Sequence, residues 1–249
     1  MKPDQYIGTT ETGDPAFDLG CFDRLHRANI IITKRLTDKL IEKLAEHRDR
    51  CILHLTCTGW GGTPVEPLVP TTSQTRRQFD KLLGAGFPVR QAVLRIDPII
   101  LTDEGMEKVA DVLEAFADSG ITRIRISYLD MYNHVQGRFL QAGIQPPYHQ
   151  FHAPLDTRRE VTEELAEAVK EMGAELEICG EPGLPSVPCV SQKDVDILGL
   201  TDTIILQGSA DQRTFCHCPA NKRQILTKRP GRCGNRCLYC YWKDDTGKK

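Results

Sequence analysis

Short apolar segments alternate with amphipathic helical patterns along most of this chain, and this alternation constrains the fold more than any other feature. Strands that are separated by helices of about a dozen residues pair in parallel through right-handed crossovers. The sequence therefore predicts an α/β fold, a partial or closed parallel (β/α) barrel of about six or seven strands. The predicted strands are 5–9, 29–33, 51–57, 89–96, 122–128, 175–179 and 203–207, and the clearest helices are 37–48, 72–83, 103–119 and 157–172.

Length and composition agree with a barrel of this size. The 249 residues, 40% of them hydrophobic, suffice for a full core, and we expect a barrel core over 1–210 with a cysteine-rich C-terminal segment, 211–249, in the same domain. The fourth helix is expected to use Asp156 or Thr157 as its N-cap, with Glu160 at capping-box distance, and to stop at Gly173. Neither a long apolar run nor a signal-peptide pattern occurs, so we expect a cytoplasmic protein without membrane contact.

Three cysteines late in the sequence, Cys233, Cys237 and Cys240, have the spacing C-x3-C-x2-C. A tight loop with this spacing can direct three thiolates to three corners of a cubane iron–sulfur cluster, and the fourth iron then has no protein ligand. A structural zinc site is the alternative, although structural zinc usually takes four closed ligands. The ten cysteines favour metal ligation over disulfides, because a reducing compartment keeps thiols free.

Four further cysteines form a second candidate group. Cys179 ends the sixth predicted strand, Cys189 closes a proline-rich loop, and Cys216 and Cys218 form a C-x-C pair. Four thiolates complete the ligand shell of an auxiliary iron–sulfur cluster or of a structural zinc ion. His217 could replace one of them as a ligand, and four unliganded core cysteines are the third interpretation.

Residues 212–243 are strongly basic, with eight Lys or Arg side chains and no Asp or Glu. The excess of positive charge fits an anionic substrate, such as a nucleic-acid phosphate, held beside the cysteines. It fits equally well a set of cations that compensates the thiolates of a metal centre. The eight side chains are Arg213, Lys222, Arg223, Lys228, Arg229, Arg232, Arg236 and Lys243.

The run CLYCYW, residues 237–242, resembles the cluster loop of spore photoproduct lyase and its relatives in the radical S-adenosylmethionine (radical SAM) superfamily. The segments ETGDPAF, LTCTGWGGTPVEP and RIDPI and the pair TK at 33–34 also resemble parts of those enzymes. Those relatives carry the cluster loop first, whereas here it comes last, as in a bacterial group of lyase-like proteins. Because the first and last strands of a barrel are neighbours, either order brings the loop to the same place on the catalytic face.

The resemblance implies an enzyme. It would bind a [4Fe–4S] cluster at the C-x3-C-x2-C loop, cleave S-adenosylmethionine to a 5′-deoxyadenosyl radical, and receive its electron from a flavodoxin- or ferredoxin-type donor. Together with the basic stretch, the resemblance favours a nucleobase substrate, a thymine-type or modified thymine base in DNA, and an isomerase or lyase reaction. A radical SAM enzyme for a peptide or small molecule and a non-enzymatic nucleic-acid-binding module stabilised by zinc or iron–sulfur remain alternatives.

The resemblance also suggests which residues bind the cofactor. Lys34, next to Thr33, is the best candidate to meet the carboxylate of S-adenosylmethionine, and a solvated lysine at a helix start is the structural alternative. Thr56 and Thr58 would supply contacts from the next strand, and Glu11 would meet the amino group or the ribose. Cys57, between the two threonines, is either a hydrogen-atom donor or a packed core thiol.

The substrate pocket is expected at the ends of the fourth and fifth strands, because parallel α/β folds place their chemistry at the carboxyl ends of strands. Arg95 could hold an anionic or carbonyl group, Tyr128 could stack on a base or relay a hydrogen atom, and His134 could exchange a proton. Asp97 and Asp130 lie beside them in sequence. Each of the five could equally be a structural residue of the barrel rim.

Overall fold

The computed structural model describes residues 5–210, 215–227 and 232–243. Seven parallel strands form one sheet in the order β6-β5-β4-β3-β2-β1-β7, which confirms the predicted fold class. The strands are β1 (Ile7–Thr9), β2 (Ala28–Thr33), β3 (Cys51–Thr56), β4 (Ala92–Ile99), β5 (Arg123–Tyr128), β6 (Glu175–Ile178) and β7 (Lys222–Gln224). The α-helices are α1 (Asp38–Glu46), α2 (Thr72–Gly84), α3 (Asp103–Phe116), α4 (Asn133–Gln141), α5 (Leu155–Glu171) and α6 (Gln192–Ile197).

The sheet is a partial barrel with two edges. β1 lies between β2 and β7, and Ile7 is in register with Ala28 on one side and with Lys222 on the other. At the opposite edge, β6 pairs in parallel with β5, and Glu175 is in register with Arg123. No pairing between β6 and β7 occurs among the described strands, so the gap between these two strands is where the barrel is open.

Alternation along the strands divides the core into two layers. On the outer face, residues such as Leu53 and Leu55 of β3 pack against the helices in the largest hydrophobic cluster. On the inner face, Ile52 belongs to a smaller cluster that also contains Val190, Val195 and Ile204 from the region after β6. This inner cluster fills the bottom of the barrel and leaves the carboxyl ends of the strands for polar side chains.

Threonine caps fix where the first three helices begin. The hydroxyls of Thr37, Thr71 and Thr102 each accept a hydrogen bond from a backbone N–H in the first turn, at 3.3, 3.3 and 3.0 Å. At Thr71 the side chain of Gln74 returns a bond to the cap backbone and completes a capping box. α1 and α3 therefore start a few residues after β2 and β4, whereas a longer loop separates α2 from β3.

The predicted N-cap of the fourth predicted helix is wrong, although its end at Gly173 is confirmed. α5 begins at Leu155 with Pro154 as its N-cap, because the Arg158 N–H already bonds to the Pro154 carbonyl at 3.0 Å. Asp156 therefore lies inside the first turn, where its charge meets the positive end of the helix dipole. Gly173 has φ 71°, a left-handed conformation that ends the helix.

The predicted strand at 203–207 is also wrong. At its centre the backbone bonds to side chains in place of a strand: the Ile205 N–H donates to Gln5 Oε1 (3.1 Å), and the Ile205 carbonyl accepts from Asn221 Nδ2 (3.1 Å). β7 forms instead from Lys222–Gln224, a polar stretch without apolar alternation. Two short helices, α4 and α6, were not predicted. None of the helices described here is long and apolar enough to cross a membrane.

Candidate functional site

A cleft at the carboxyl ends of β1, β2, β3 and β4 contains many of the predicted site residues. Its first lobe has a volume of about 220 Å³ and lies against the loop that carries the C-x3-C-x2-C motif, hereafter the cysteine loop (232–243). The predicted residues that line this lobe are Glu11, Thr33, Lys34, Thr56, Arg95, Asp97, Cys233, Cys237 and Cys240.

The second lobe is larger, with a volume of about 450 Å³, and contains the other predicted cysteine group. Glu11, Arg95 and Asp97 line both lobes, so the two cavities are parts of one cleft. The structure therefore places the two groups of thiols at opposite ends of a shared space. The cysteines that line the second lobe are Cys179, Cys189, Cys216 and Cys218.

Asp14 attaches the cysteine loop to the end of β2. One carboxylate oxygen accepts from Thr33 Oγ1 (2.7 Å), and the other accepts from the Lys34 N–H (2.9 Å) and from Asn235 Nδ2 (2.8 Å). Asn235 lies between the first two cysteines of the motif and is 2% exposed. This buried carboxylate therefore sets the distance between the thiols and Lys34.

Glycine and a left-handed residue allow the cysteine loop to turn tightly. A Cβ at Gly234 would lie 2.6 Å from the Phe17 ring, so a larger residue would displace the loop. Arg236 has φ 57°, in the left-handed region, immediately before Cys237. These two positions let the loop pack against the residues that follow β1.

The unpredicted helix α4 holds the other side of the cysteine loop. Arg138 donates to the carbonyl of Cys240 and to that of Trp242, and His134 Nε2 lies 2.9 Å from the Tyr241 carbonyl oxygen. His134 therefore contacts the loop from outside the cleft, where it lines a separate shallow pocket. It is positioned to orient the loop and does not line either lobe.

A buried ion pair lies beside the cysteine loop. Lys34 Nζ donates to Glu66 Oε1 (2.8 Å) and to the Tyr239 hydroxyl (2.7 Å). Glu66 is fully buried, accepts from Thr58 Oγ1 at 2.7 Å, and has one oxygen 3.9 Å from Cys237 Sγ. Burial alone would lower the pKa of Lys34, but Glu66 and Cys237 raise it above its ordinary value, so the ammonium stays charged.

Burial raises the pKa of each thiol in the cysteine loop, Cys233, Cys237 and Cys240. For Cys237 the neighbouring Lys34 acts in the opposite direction, and Glu66 adds to the increase. A buried thiol of this kind stays protonated on its own, whereas a coordinated metal removes the proton. These thiols are therefore poor nucleophiles on their own, and they could act as ligands only to a metal that displaces their protons.

The four thiols of the second lobe lie in a chain of close contacts. Cys179 Sγ is 2.9 Å from Cys189 Sγ, Cys189 hydrogen-bonds to Cys218, and Cys218 hydrogen-bonds to Cys216. The hydrogen bond from Cys218 lowers the pKa of Cys216 to about 6. The four cysteines that were grouped on sequence alone are therefore neighbours in the structure.

Glu11 belongs to the second lobe more than to the first. Its carboxylate and the sulfurs of Cys189 and Cys218 lie within 4.8 Å of one another, and Oε1 accepts from Lys222 Nζ at 2.7 Å. The predicted contact between Glu11 and the amino group of S-adenosylmethionine is not favoured by this placement. The buried carboxylate beside Lys34 is that of Glu66, which sequence reasoning did not select.

Arg95 and Asp97 form an ion pair where the two lobes meet. Asp97 also accepts a hydrogen bond from Ser127 on the neighbouring strand. The Nε of Arg95 is buried and has no partner among the described residues. Arg95 thus lies on the wall shared by the two lobes, and its role toward a substrate stays a prediction.

Tyr128 does not line the cleft. Because Ser127 faces inward, the period of a strand turns Tyr128 to the outer face, where its hydroxyl hydrogen-bonds to Thr162 Oγ1 (2.7 Å) and donates to the Arg158 carbonyl (3.1 Å). It is 2% exposed and belongs to the core beneath α5. Stacking on a substrate base is incompatible with this position.

Cys57 and Asp130 also lie outside both lobes. Cys57 is buried in the helix-packed layer, with its sulfur 3.9 Å from Thr72 Oγ1. Asp130 pairs with His152 at 2.8 Å, on the α4 side of the barrel. Of the basic residues noted in the sequence, Arg213, Lys228 and Arg229 lie outside the described residues.

Replacing Tyr128 with phenylalanine is expected to lower the free energy of unfolding by about 1 kcal/mol, because Thr162 and the Arg158 carbonyl lose a buried hydrogen-bond partner. Urea denaturation measures this loss. Binding of small molecules in the cleft should stay unchanged, since the ring lies on the other face of the sheet. A variant of wild-type stability that fails to bind them would contradict the placement of Tyr128.

Comparison with known proteins identifies a family and little else. The profile described as "Domain of unknown function (DUF1848)" matches residues 26–242. No curated protein matches the chain. Among solved structures, the crystal structure titled "putative phosphonomutase", from Burkholderia cenocepacia J2315, is 13% identical and aligns over 90% of this chain and 88% of its own, with a TM-score of 0.34. A similarity this low carries no information about the reaction.

Proposed function

The chain belongs to the DUF1848 family, and we propose that it is a radical SAM enzyme whose [4Fe–4S] cluster is held by the cysteine loop. One observation carries the proposal: Cys233, Cys237 and Cys240 share one wall of the cleft, beside the Lys34–Glu66 pair. Among the described residues that line the first lobe, only these three are cysteines. The lobe thus offers a cubane three thiolates, whereas a structural zinc ion would need a fourth ligand.

Lys34 suits the carboxylate of S-adenosylmethionine, as the sequence resemblance implies, because its ammonium lines the first lobe beside the cysteine loop. Glu66 accepts a hydrogen bond from Lys34 at 2.8 Å and lies beside Cys237. It is fully buried and does not line the lobe, so it would position Lys34 without itself contacting the ligand.

The cofactor supplies the chemistry, and the chain supplies position and shielding. When bound, the cluster and S-adenosylmethionine supply a 5′-deoxyadenosyl radical after one-electron reduction by a flavodoxin- or ferredoxin-type partner. Asp14 and Arg138 hold the cysteine loop from its two sides. The buried Tyr239 attaches the loop to Lys34 through its hydroxyl, which accepts a hydrogen bond from Nζ. Thr33 and Thr56 also line the first lobe, where they can contact the same ligand.

We further propose a nucleobase as the substrate, of the thymine type and carried in DNA, with an isomerase or lyase outcome. The support is the distribution of cations. Arg95 and Lys222 line the cleft, paired with Asp97 and Glu11, and their cationic side chains would face a base carbonyl there. Arg223 and Arg236 are exposed outside it and can meet phosphates.

Anaerobic reconstitution tests the proposal. The purified chain, supplied with iron and sulfide, is expected to bind at least about four iron atoms and become brown. Addition of S-adenosylmethionine and dithionite should then yield 5′-deoxyadenosine, which chromatography detects. A colourless protein that carries only zinc and releases no deoxyadenosine would reject the proposal in favour of a non-enzymatic binding module.

Lys34→Met combined with Glu66→Gln is expected to weaken binding of S-adenosylmethionine about tenfold or more, a loss of about 1.4 kcal/mol or more. The double substitution removes both charges at once, so it leaves no uncompensated ion in the core. Isothermal titration to the reconstituted protein measures the affinity. Lys81→Met is the matched control, because Lys81 pairs with Asp38 on the exposed surface. Equal affinities in the two variants would exclude the pair from the binding site.

A further inference from the structure

The four thiols of the second lobe lie where the barrel is open. Cys179 follows the edge strand β6 directly, and Cys216 and Cys218 precede the other edge strand, β7. Cys189 contacts both, through Cys179 on one side and Cys218 on the other. The described strands do not pair across this gap, so the chain of thiols joins the two edges of the sheet.

The segment before Cys189 continues the sheet for a short distance. The Val187 N–H donates to the Ile178 carbonyl at 2.7 Å, and Ile178 and Ser186 form an isolated parallel bridge. From the barrel interior, Arg125 Nη1 donates to the Cys189 carbonyl at 2.9 Å. Cys189 is therefore held in place along the free edge of β6 by contacts that do not depend on its sulfur.

On the β7 side, backbone bonds hold the C-x-C pair in a similar way. The Ala210 N–H donates to the Cys218 carbonyl at 2.7 Å, and the Ala220 N–H donates to the Gln207 carbonyl at 2.6 Å. Lys222, the first residue of β7, brings its ammonium to Glu11 beside the sulfurs. Backbone contacts thus hold both sets of cysteines in place, and the ammonium of Lys222, paired with Glu11, lies beside them.

We propose that Cys179, Cys189, Cys216 and Cys218 bind one thiolate-ligated metal centre, a zinc ion or an iron–sulfur cluster, that links β6 to β7 and closes the barrel. Four thiolates satisfy either group completely. Packing of the four thiols in the core is the competing explanation. Cys51 is an example of a core thiol in this protein, and it is fully buried on the helix-packed face of the sheet. The four linking cysteines instead line the wall of the second lobe, together with the charged side chains of Glu11, Arg95 and Lys222.

This proposal does not rest on the proposed function, because the two sites share no cysteine. The proposed centre would also shape the cleft. Arg95, Asp97 and Glu11 line both lobes, so the two lobes form one space. The linked strand edges form the wall of that space opposite the cysteine loop. Opening the edge would widen the second lobe and leave the first lobe bounded by β1, β2 and the cysteine loop.

Metal analysis of a variant that lacks the first site tests the proposal directly. Full-length protein with Cys233, Cys237 and Cys240 all replaced by alanine is purified anaerobically and checked for folding by circular dichroism. We expect it to retain either about one zinc ion or about four iron atoms with acid-labile sulfide per chain, and the element found identifies the centre. A folded triple variant without bound metal would overturn the proposal, whatever the wild type does with S-adenosylmethionine.

Further substitutions in the same triple variant assign the ligands. Cys216→Ser, at the half-buried end of the chain of thiols, should reduce the metal content at least severalfold, and Cys51→Ala should leave it unchanged. Hydrogen exchange then tests the role of the centre. Removal of the metal should speed exchange in peptides that cover 175–179 and 215–224, and spare those of β3. Unchanged exchange at both edges after complete metal loss would reject the link between the strands.

Discussion

Cys237→Ala is expected to abolish 5′-deoxyadenosine formation by the anaerobically reconstituted protein, by about a thousandfold or more, because two thiolates do not hold a cubane and the radical chemistry belongs to the cluster. Cys237 is the most buried cysteine of the motif, and Glu66 and Lys34 lie beside its sulfur. Chromatographic measurement of deoxyadenosine against time gives the rate, and iron analysis of the same sample gives the cluster content.

Cys51→Ala is the matched control for this experiment. It removes a buried thiol of the same kind from β3, and Cys51 lines neither lobe of the cleft. We expect its cluster content and deoxyadenosine rate to match those of the wild type. If the Cys237 variant kept its iron and cleaved S-adenosylmethionine at the wild-type rate, the cysteine loop would not be the cluster site.

Glu177→Gln is expected to lower the free energy of unfolding by about 3–5 kcal/mol, a large part of the stability of a typical domain. Glu177 is buried inside the barrel, where its two oxygens accept from Arg123 (2.7 Å) and from Arg125. Burial alone would raise the pKa of this carboxyl, but the two arginines, Arg125 most of all, hold it below its ordinary value. Loss of the charge leaves two buried guanidinium groups with Asp194 as their remaining carboxylate.

Glu175→Gln provides the comparison, two residues earlier in the same strand. Glu175 is exposed and pairs with the exposed Lys193, so its loss should change stability by no more than about 0.5 kcal/mol. Urea denaturation of both variants measures the difference. Similar midpoints for the two would show that the interior network contributes no more than a surface pair.

Apolar runs predicted six of the seven strands and the parallel architecture, because burial on both faces leaves a strong signal in sequence. β7 leaves no such signal. It is three polar residues long and exists because β1 offers it an unpaired edge. The apolar segment 203–207 was predicted in its place, although it contributes Ile204 to the inner cluster from a loop. Hydrophobicity indicated burial there and could not indicate strand pairing.

Cysteine spacing was equally informative for the site, since both predicted groups of thiols are together in the structure. Their polar neighbours were not predictable in the same way. Glu66 meets Cys237 across 171 positions of the chain, and Arg138 meets Cys240 across 102. Glu66 lies in LTCTGWGGTPVEP, a segment that resembles the lyase family. No local pattern in this segment indicates that the Glu66 carboxylate is buried. Tyr128 was placed on the wrong face because only the register of β5 decides which residues point inward.

The long separation of these contacts also has a consequence for assembly. Asp14 and Asn235 are 221 positions apart, and Lys34 and Tyr239 are 205 apart. The cysteine loop follows all seven strands in the sequence. The strands and loops that it packs against are therefore synthesised before it. Docking of the loop is then a late step on a preformed surface, and the proposed cluster could be inserted after the rest of the chain has folded.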